Sequence, residues 1–92
     1  MKVIFRESAY RDLNEIYDWI ARDRPAAADR VIDRIVKSTE LLGHFPYIGH
    51  AGRLAGTQEW VVSGLPYIIV YTVDAAAEEL TIIAVFRGSQ NR

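Results

Sequence analysis

Seven side chains in the second half of the chain have the chemistry to act on RNA: Arg53, Glu59, Tyr67, Tyr71, Arg87, Gln90 and Arg92. Set on a sheet surface, such groups can bind phosphates, accept the 2′-OH proton and stabilise the charge that develops as the backbone is cut. The charge available for that task is thin. Residues 44–92 carry 4 acidic and 3 basic side chains, residues 7–43 carry 8 and 6, and no lysine follows Lys37. Electrostatic grip on nucleic acid scales with the number of phosphates neutralised, so three scattered arginines offer little of it. The plain alternative is a set of solvated strand edges with Arg87 in a structural role.

Other chemistries find less support. His44 and His50 are the only histidines and sit in a glycine-rich stretch with no carboxylate close in sequence. A zinc site needs three or four ligands held rigidly, so the expectation is no metal and no cofactor. Ser8, Ser38, Ser63 and Ser89 lack a strand–elbow–helix setting. Gly49, Gly52 and Gly56 are not followed by Lys-Ser/Thr, so no phosphate-cradling loop is expected. Zero cysteines excludes a disulfide scaffold, a thiolate site and a Cys nucleophile. Four aromatic residues, Tyr10, Tyr17, Trp19 and Trp60, suit the rim of a protein-binding groove. For Trp19 and Trp60 partial burial in the core is the competing reading.

The elements that must position these groups follow from periodicity. Residues 2–6 are short, β-prone and charged at both ends, which predicts an opening strand. From Glu7 to about Arg22, Ala9, Leu13, Ile16, Tyr17 and Ile20 fall on one helical face. Pro25 ends that segment and suits the first turn of a second helix reaching about Leu42, with Ala28, Val31, Ile32, Ile35, Thr39 and Leu42 inward and Gly43 as its C-terminal stop. Only Asp23–Arg24 separates the two patterns, so they predict an antiparallel helical hairpin. Three strand-like runs come last, Gln58–Ser63, Tyr67–Asp74 and Glu79–Arg87, joined by connections short enough for antiparallel neighbours. Ile82, Ile83, Ala84 and Val85 hardly alternate, which predicts a strand buried on both faces. The expected fold class is α+β, in the order β-αα-βββ: an antiparallel sheet with an N-terminal helical hairpin on one face.

Length and composition bound the rest. A chain of 92 residues with half its residues hydrophobic and a net charge of -1 reads as one domain over 1–92. Area scaling gives a folded surface of roughly 5,400 Å² against roughly 15,000 Å² unfolded, enough for one modest core. The charge balance argues against an autonomous basic nucleic-acid binder. No membrane span or signal peptide is apparent, and the expected location is cytoplasmic.

The element order and several local motifs together resemble the RelE/ParE family of type II toxin–antitoxin toxins. The matching residues are Ala9, Asp12-Leu13, Ile16 and Tyr17; Phe45-Pro46-Tyr47-Ile48-Gly49; Glu59 before an apolar strand; Pro66-Tyr67-Ile68-Ile69-Val70-Tyr71; and Val85-Phe86-Arg87-Gly88. The resemblance covers nearly the whole chain. It implies a toxin that arrests growth, neutralised in a hetero-oligomeric complex by a cognate ParD- or RelB-like antitoxin whose C-terminal segment folds around it. RelE-like members are ribosome-dependent mRNA endonucleases, and ParE-like members poison DNA gyrase.

Departures from the nuclease pattern favour the ParE-like branch, typical of plasmid-stabilisation systems. Trp60-Val61-Val62 stands where nucleases carry basic residues, Pro66-Tyr67-Ile68 where many relatives have Pro-Tyr-Arg, and neither His nor Tyr follows Arg87. The resemblance therefore implies gyrase as the target and assigns no catalytic residue, with a ribosome-dependent mRNA interferase as the alternative. An inactive relative kept as a binding module or co-repressor is a third reading. Candidates for target contact are Arg87, Gln90 and Arg92, then Arg53 and Glu59; for antitoxin contact they are Tyr10, Tyr17, Trp19 and Trp60. Arg87 has a second reading, as a tie between the last strand and the helices.

Overall fold

The two longest strand-like runs, 67–74 and 79–87, pair with each other in a computed structural model that describes residues 1–88. The elements are β1 (Lys2–Phe5), α1 (Glu7–Ala21), α2 (Pro25–His44), β2 (His50–Ala51), β3 (Gln58–Val61), β4 (Tyr67–Asp74) and β5 (Glu79–Arg87). They form one five-stranded sheet in the order β1-β5-β4-β3-β2 with the helical hairpin on one face. Gln90 and Arg92 lie outside the described residues.

The α+β order is as the sequence predicts, with two additions. A two-residue strand, β2, pairs with β3 at the sheet edge; so short a segment has no periodicity to betray it. The outermost pair, β1 with β5, runs parallel, whereas β3, β4 and β5 form the expected antiparallel meander. The sheet is thus mixed. Between β1 and β5 lie the helical hairpin and strands β2 to β4, and an intervening crossover is what parallel neighbours require.

The core is where the helical stripes meet the sheet. Ala9 and Leu13 of α1 and Ile35 and Leu42 of α2 cluster with Val62, Tyr67, Ile69, Tyr71, Leu80, Ile82 and Val85. Burying a side chain of Leu or Ile size stabilises by about 1.5–3 kcal/mol, so this cluster dominates the fold's stability. Thr39 is also buried, and its hydroxyl donates to the Val36 carbonyl at 2.6 Å.

Two expectations about local roles need correction. Gly43 does not stop α2, which continues to His44. A Cβ there would sit 2.9 Å from Val3 Cγ2 and 3.3 Å from the Met1 carbonyl oxygen. The glycine lets the start of β1 lie against α2, where the N-terminal ammonium donates to the Gly43 carbonyl at 2.9 Å. Nor is β5 evenly buried on both faces. Val70 opposes Ala84 and Tyr71 opposes Ile82, which leaves Ile83 without a partner on β4. One extra residue is a β-bulge, and it re-phases the strand. Ile82 and Val85 are both buried toward the helices, while Ile83 and Ala84 are half-buried. The apolar run is the signature of that bulge.

Candidate functional site

The Phe45–Gly49 segment after α2 is tied down by one phenol. Tyr71, fully buried on β4, places its hydroxyl 2.9 Å from the Pro46 carbonyl, which accepts its proton. The same oxygen accepts the Gly49 N–H at 3.2 Å and lies 3.0 Å from the Gln58 side-chain amide. Burial pushes the Tyr71 phenol above its ordinary range, against the smaller opposing effect of the Gly49 N–H. Gly49 has no room for a side chain: a Cβ would meet Tyr71 Oη at 2.5 Å and the Glu59 carbonyl oxygen at 2.7 Å. Tyr71 is therefore a structural latch, and Phe45, Tyr47 and Ile48 stand exposed on the loop it holds.

Glu59 and Arg53 form a second cluster. Glu59 is 7% exposed, faces His50 across the β2–β3 pair, and has an oxygen 3.8 Å from His50 Nε2. Its other oxygen accepts the Arg53 N–H at 3.3 Å, so the carboxylate braces the turn after β2. The Arg53 guanidinium lies 5.6 Å from the centre of the Phe86 ring, a cation–π contact. Around this pair the sheet face opposite the helices is hydrocarbon: Ile68 opposes Phe86 and Val70 opposes Ala84.

Arg87 lies apart from that cluster's carboxylate. It ends β5 opposite Tyr67 and lines a groove of about 300 Å³ with Asp12, Glu15, Ile16 and Trp19 of α1. The Arg87 side chain is exposed, and among the described residues it enters no ion pair. Asp12 is engaged: its Oδ2 accepts the Val85 N–H at 3.0 Å. What ties the last strand to the helices is Asp12 rather than a salt bridge from Arg87.

The four aromatic candidates do not share one surface. Trp19 is 64% exposed at the groove, with the Arg22 guanidinium 5.4 Å from its ring centre. Tyr10 is exposed beside β1 and stacks on Phe5 at 5.4 Å. Tyr17 points toward α2, where the Asp29 charge and hydrogen bonding to it raise the phenol above its usual range. Trp60 faces the helix side of the sheet opposite Ile69 and packs, half-buried, against the core. Of the two tryptophans weighed between rim and core, one lies on each side.

Some contributors carried no functional signal in the sequence. Ser8 donates to the Ile83 carbonyl at 2.6 Å and Asp12 receives the Val85 N–H, bonds that span more than 70 residues and leave no local pattern. Among the described residues no three His, Cys, Asp or Glu side chains converge, and no helix is long and apolar enough to cross a membrane.

Residues 3–92 match the family described as ParE toxin of type II toxin–antitoxin system, parDE. A Sinorhizobium fredii protein named "Putative toxin Y4kP" is 40% identical over 75 residues, covering 82% of this chain and 78% of its own length. The solved chromosomal ParDE system of P. aeruginosa superposes with a TM-score of 0.86 at 21% identity, over 97% of both chains. The RelBE2 toxin–antitoxin complex of Mycobacterium tuberculosis gives a TM-score of 0.70 at 22% identity over 94% of this chain and 95% of that one. At these identities the two structures speak to the fold alone.

Proposed function

Because the chain belongs to the ParE toxin family of type II toxin–antitoxin systems, we propose that it inhibits DNA gyrase and is held inactive by a cognate antitoxin. One observation carries the choice of a protein target over RNA. On the sheet face opposite the helices, Glu59 is buried in bracing the Arg53 turn, and the neighbouring pairs Ile68–Phe86 and Val70–Ala84 are hydrocarbon. Ribonucleolytic cleavage needs an accessible proton acceptor and a cationic surface beside the scissile phosphate. A hydrocarbon patch with one guanidinium over it suits contact with protein better than with a polyanion.

The target contact centres on Arg87. It is the exposed cation at the end of β5, free of intramolecular ion pairs with the described residues and flanked by the exposed Trp19. Arg and Trp are the residue types most often found where a few side chains dominate an interface. Gln90 and Arg92 extend the same contact in sequence; Arg53, over Phe86 on the other sheet face, is a separate and secondary contact that Glu59 holds in place from within. The antitoxin engages α1 through the exposed Tyr10, Tyr17 and Trp19, while Trp60, packed on the core, supports that surface from beneath. Its C-terminal segment orders on binding, as amphipathic partners in grooves do. The domain spans 1–92 and acts in the cytoplasm, where gyrase resides.

Supercoiling and cleavage assays with purified toxin test this reading. Inhibition near stoichiometry, lost in Arg87→Ala and reversed by antitoxin, is expected. Cuts within codons on translated mRNA, with gyrase unaffected, would replace it with the mRNA-interferase alternative.

A further inference from the structure

The outer edge of β5 changes partner halfway along. Up to Ile82 it is covered by β1, whose last residue Phe5 opposes Ile82 and whose successor Arg6 donates to the Ile82 carbonyl at 2.9 Å. Beyond that point no strand of the described residues lies alongside, and side chains of α1 take over. Ser8 donates to the Ile83 carbonyl at 2.6 Å, and Asp12 Oδ2 accepts the Val85 N–H at 3.0 Å. Ser8 and Asp12 are four residues apart, one turn of helix, so both reach the same strip of β5. Their two bonds bracket Ile83 and Ala84, the place where the bulge interrupts pairing with β4.

The bulge decides which way the end of β5 faces. Side chains alternate across a strand, so an uninterrupted β5 with Ile82 inward would turn Ala84 and Phe86 to the helices and Val85 and Arg87 to the opposite face. With Ile83 as an extra residue the phase reverses. Val85 is buried under the helices, Phe86 pairs with Ile68 on the open face, and Arg87 pairs with Tyr67 and lines the groove beside Trp19. A bulge leaves backbone groups unpaired, and it persists where something else satisfies them. Here Ser8 takes the carbonyl of the unpaired Ile83, and Asp12 takes the outward N–H of Val85 just beyond it, holding the re-phased strand against α1.

We infer that Asp12, assisted by Ser8, is a positioning residue that fixes the β5 bulge and so directs Arg87 into the α1 groove. The consequence for activity rests on the reading of Arg87 as a target contact; the consequence for geometry does not. Asn at position 12 keeps an oxygen that can accept the Val85 N–H, whereas Ala removes it. A role for the Asp12 charge itself would be lost in both variants, and a role in stability alone would leave potency unchanged in folded protein.

The experiment follows the full-length toxin by NMR and by gyrase supercoiling, as wild type, Asp12→Asn, Asp12→Ala and Ser8→Ala. In Asp12→Ala the Val85 amide should exchange at least about tenfold faster, as an amide stripped of its acceptor does. The cross-strand nuclear Overhauser contacts of Arg87 with Tyr67 and of Val85 with Ile69, which report the re-phased register, should vanish, and inhibition should fall as far as in Arg87→Ala. Asp12→Asn should restore all three. Ser8→Ala, a milder change, should shift the same signals in the same direction and serves if Asp12→Ala does not fold. Persistence of the Arg87–Tyr67 contacts in both alanine variants would overturn the inference, as would an Asp12→Asn variant indistinguishable from Asp12→Ala. If those contacts respond as expected while Arg87→Ala inhibits gyrase like wild type, the positioning stands and the target reading fails.

Discussion

A single phenol shows how the side chains divide between chemistry and architecture. Tyr71 has the type and location of a residue that could work on RNA, yet its hydroxyl is spent on Pro46, Gly49 and Gln58. Removing it strands buried polar partners, which costs about 1–3 kcal/mol, so Tyr71→Phe should lower the melting temperature by several degrees, measurable by thermal unfolding. A pH dependence accompanies this. The folded-state pKa of Tyr71 is raised, so its stabilising contribution is complete below the ordinary tyrosine range and is lost as pH rises through and beyond it. Urea unfolding from neutral to strongly alkaline pH should therefore show a steeper loss in wild type than in Tyr71→Phe. The two tryptophans separate by the same logic. Trp19→Ala should leave stability nearly unchanged and weaken antitoxin binding at least about tenfold, the scale of an interface anchor. Trp60→Ala should instead destabilise the fold, because Trp60 packs on the core. Equal effects of the two on antitoxin affinity, by titration calorimetry, would contradict that division.

At the scale of elements, periodicity carried far and then failed where contacts are distant. The stripe Ala28, Ile35, Thr39, Leu42 was readable because a helix repeats its inward face every three or four residues, and all four are buried. The three strands of the meander were readable from their short connections. Unreadable were β2, too short for a period, and the parallel docking of β1 on β5, decided by residues more than 70 positions apart. The β5 run Ile82–Val85 was legible as apolar but ambiguous in cause, since a bulge and two-sided burial leave the same four residues in a row. Gly43 yields a prediction of sign. Helix propensity alone favours Ala over Gly by about 1 kcal/mol in a helix interior. A Cβ 2.9 Å from Val3 Cγ2 opposes that gain, so Gly43→Ala should be destabilising rather than stabilising in urea unfolding. Stabilisation would mean that β1 packs more loosely against α2 than the structure has it.

Across the whole molecule, charge and surface chemistry point the same way. The net charge of -1 leaves few cations for a polyanionic target, and the two among the described residues of the second half are separated: Arg53 lies over Phe86 and Arg87 lines the groove with Trp19. Of the seven side chains that first suggested chemistry on RNA, Tyr71 is a latch, Glu59 a brace, and Tyr67 is 5% exposed. The family was legible from the order of motifs; which exposed residues meet the target was not, because an interface residue is recognised by what it faces. The most direct test of the account is inhibition of supercoiling by purified gyrase, titrated with wild-type toxin, with Arg87→Ala and with toxin pre-bound to its antitoxin. The account predicts inhibition by wild type near stoichiometric toxin, a loss of at least about tenfold in Arg87→Ala, as for an interface hot spot, and none from the complex. Folded wild-type toxin that leaves gyrase untouched at large excess would contradict it.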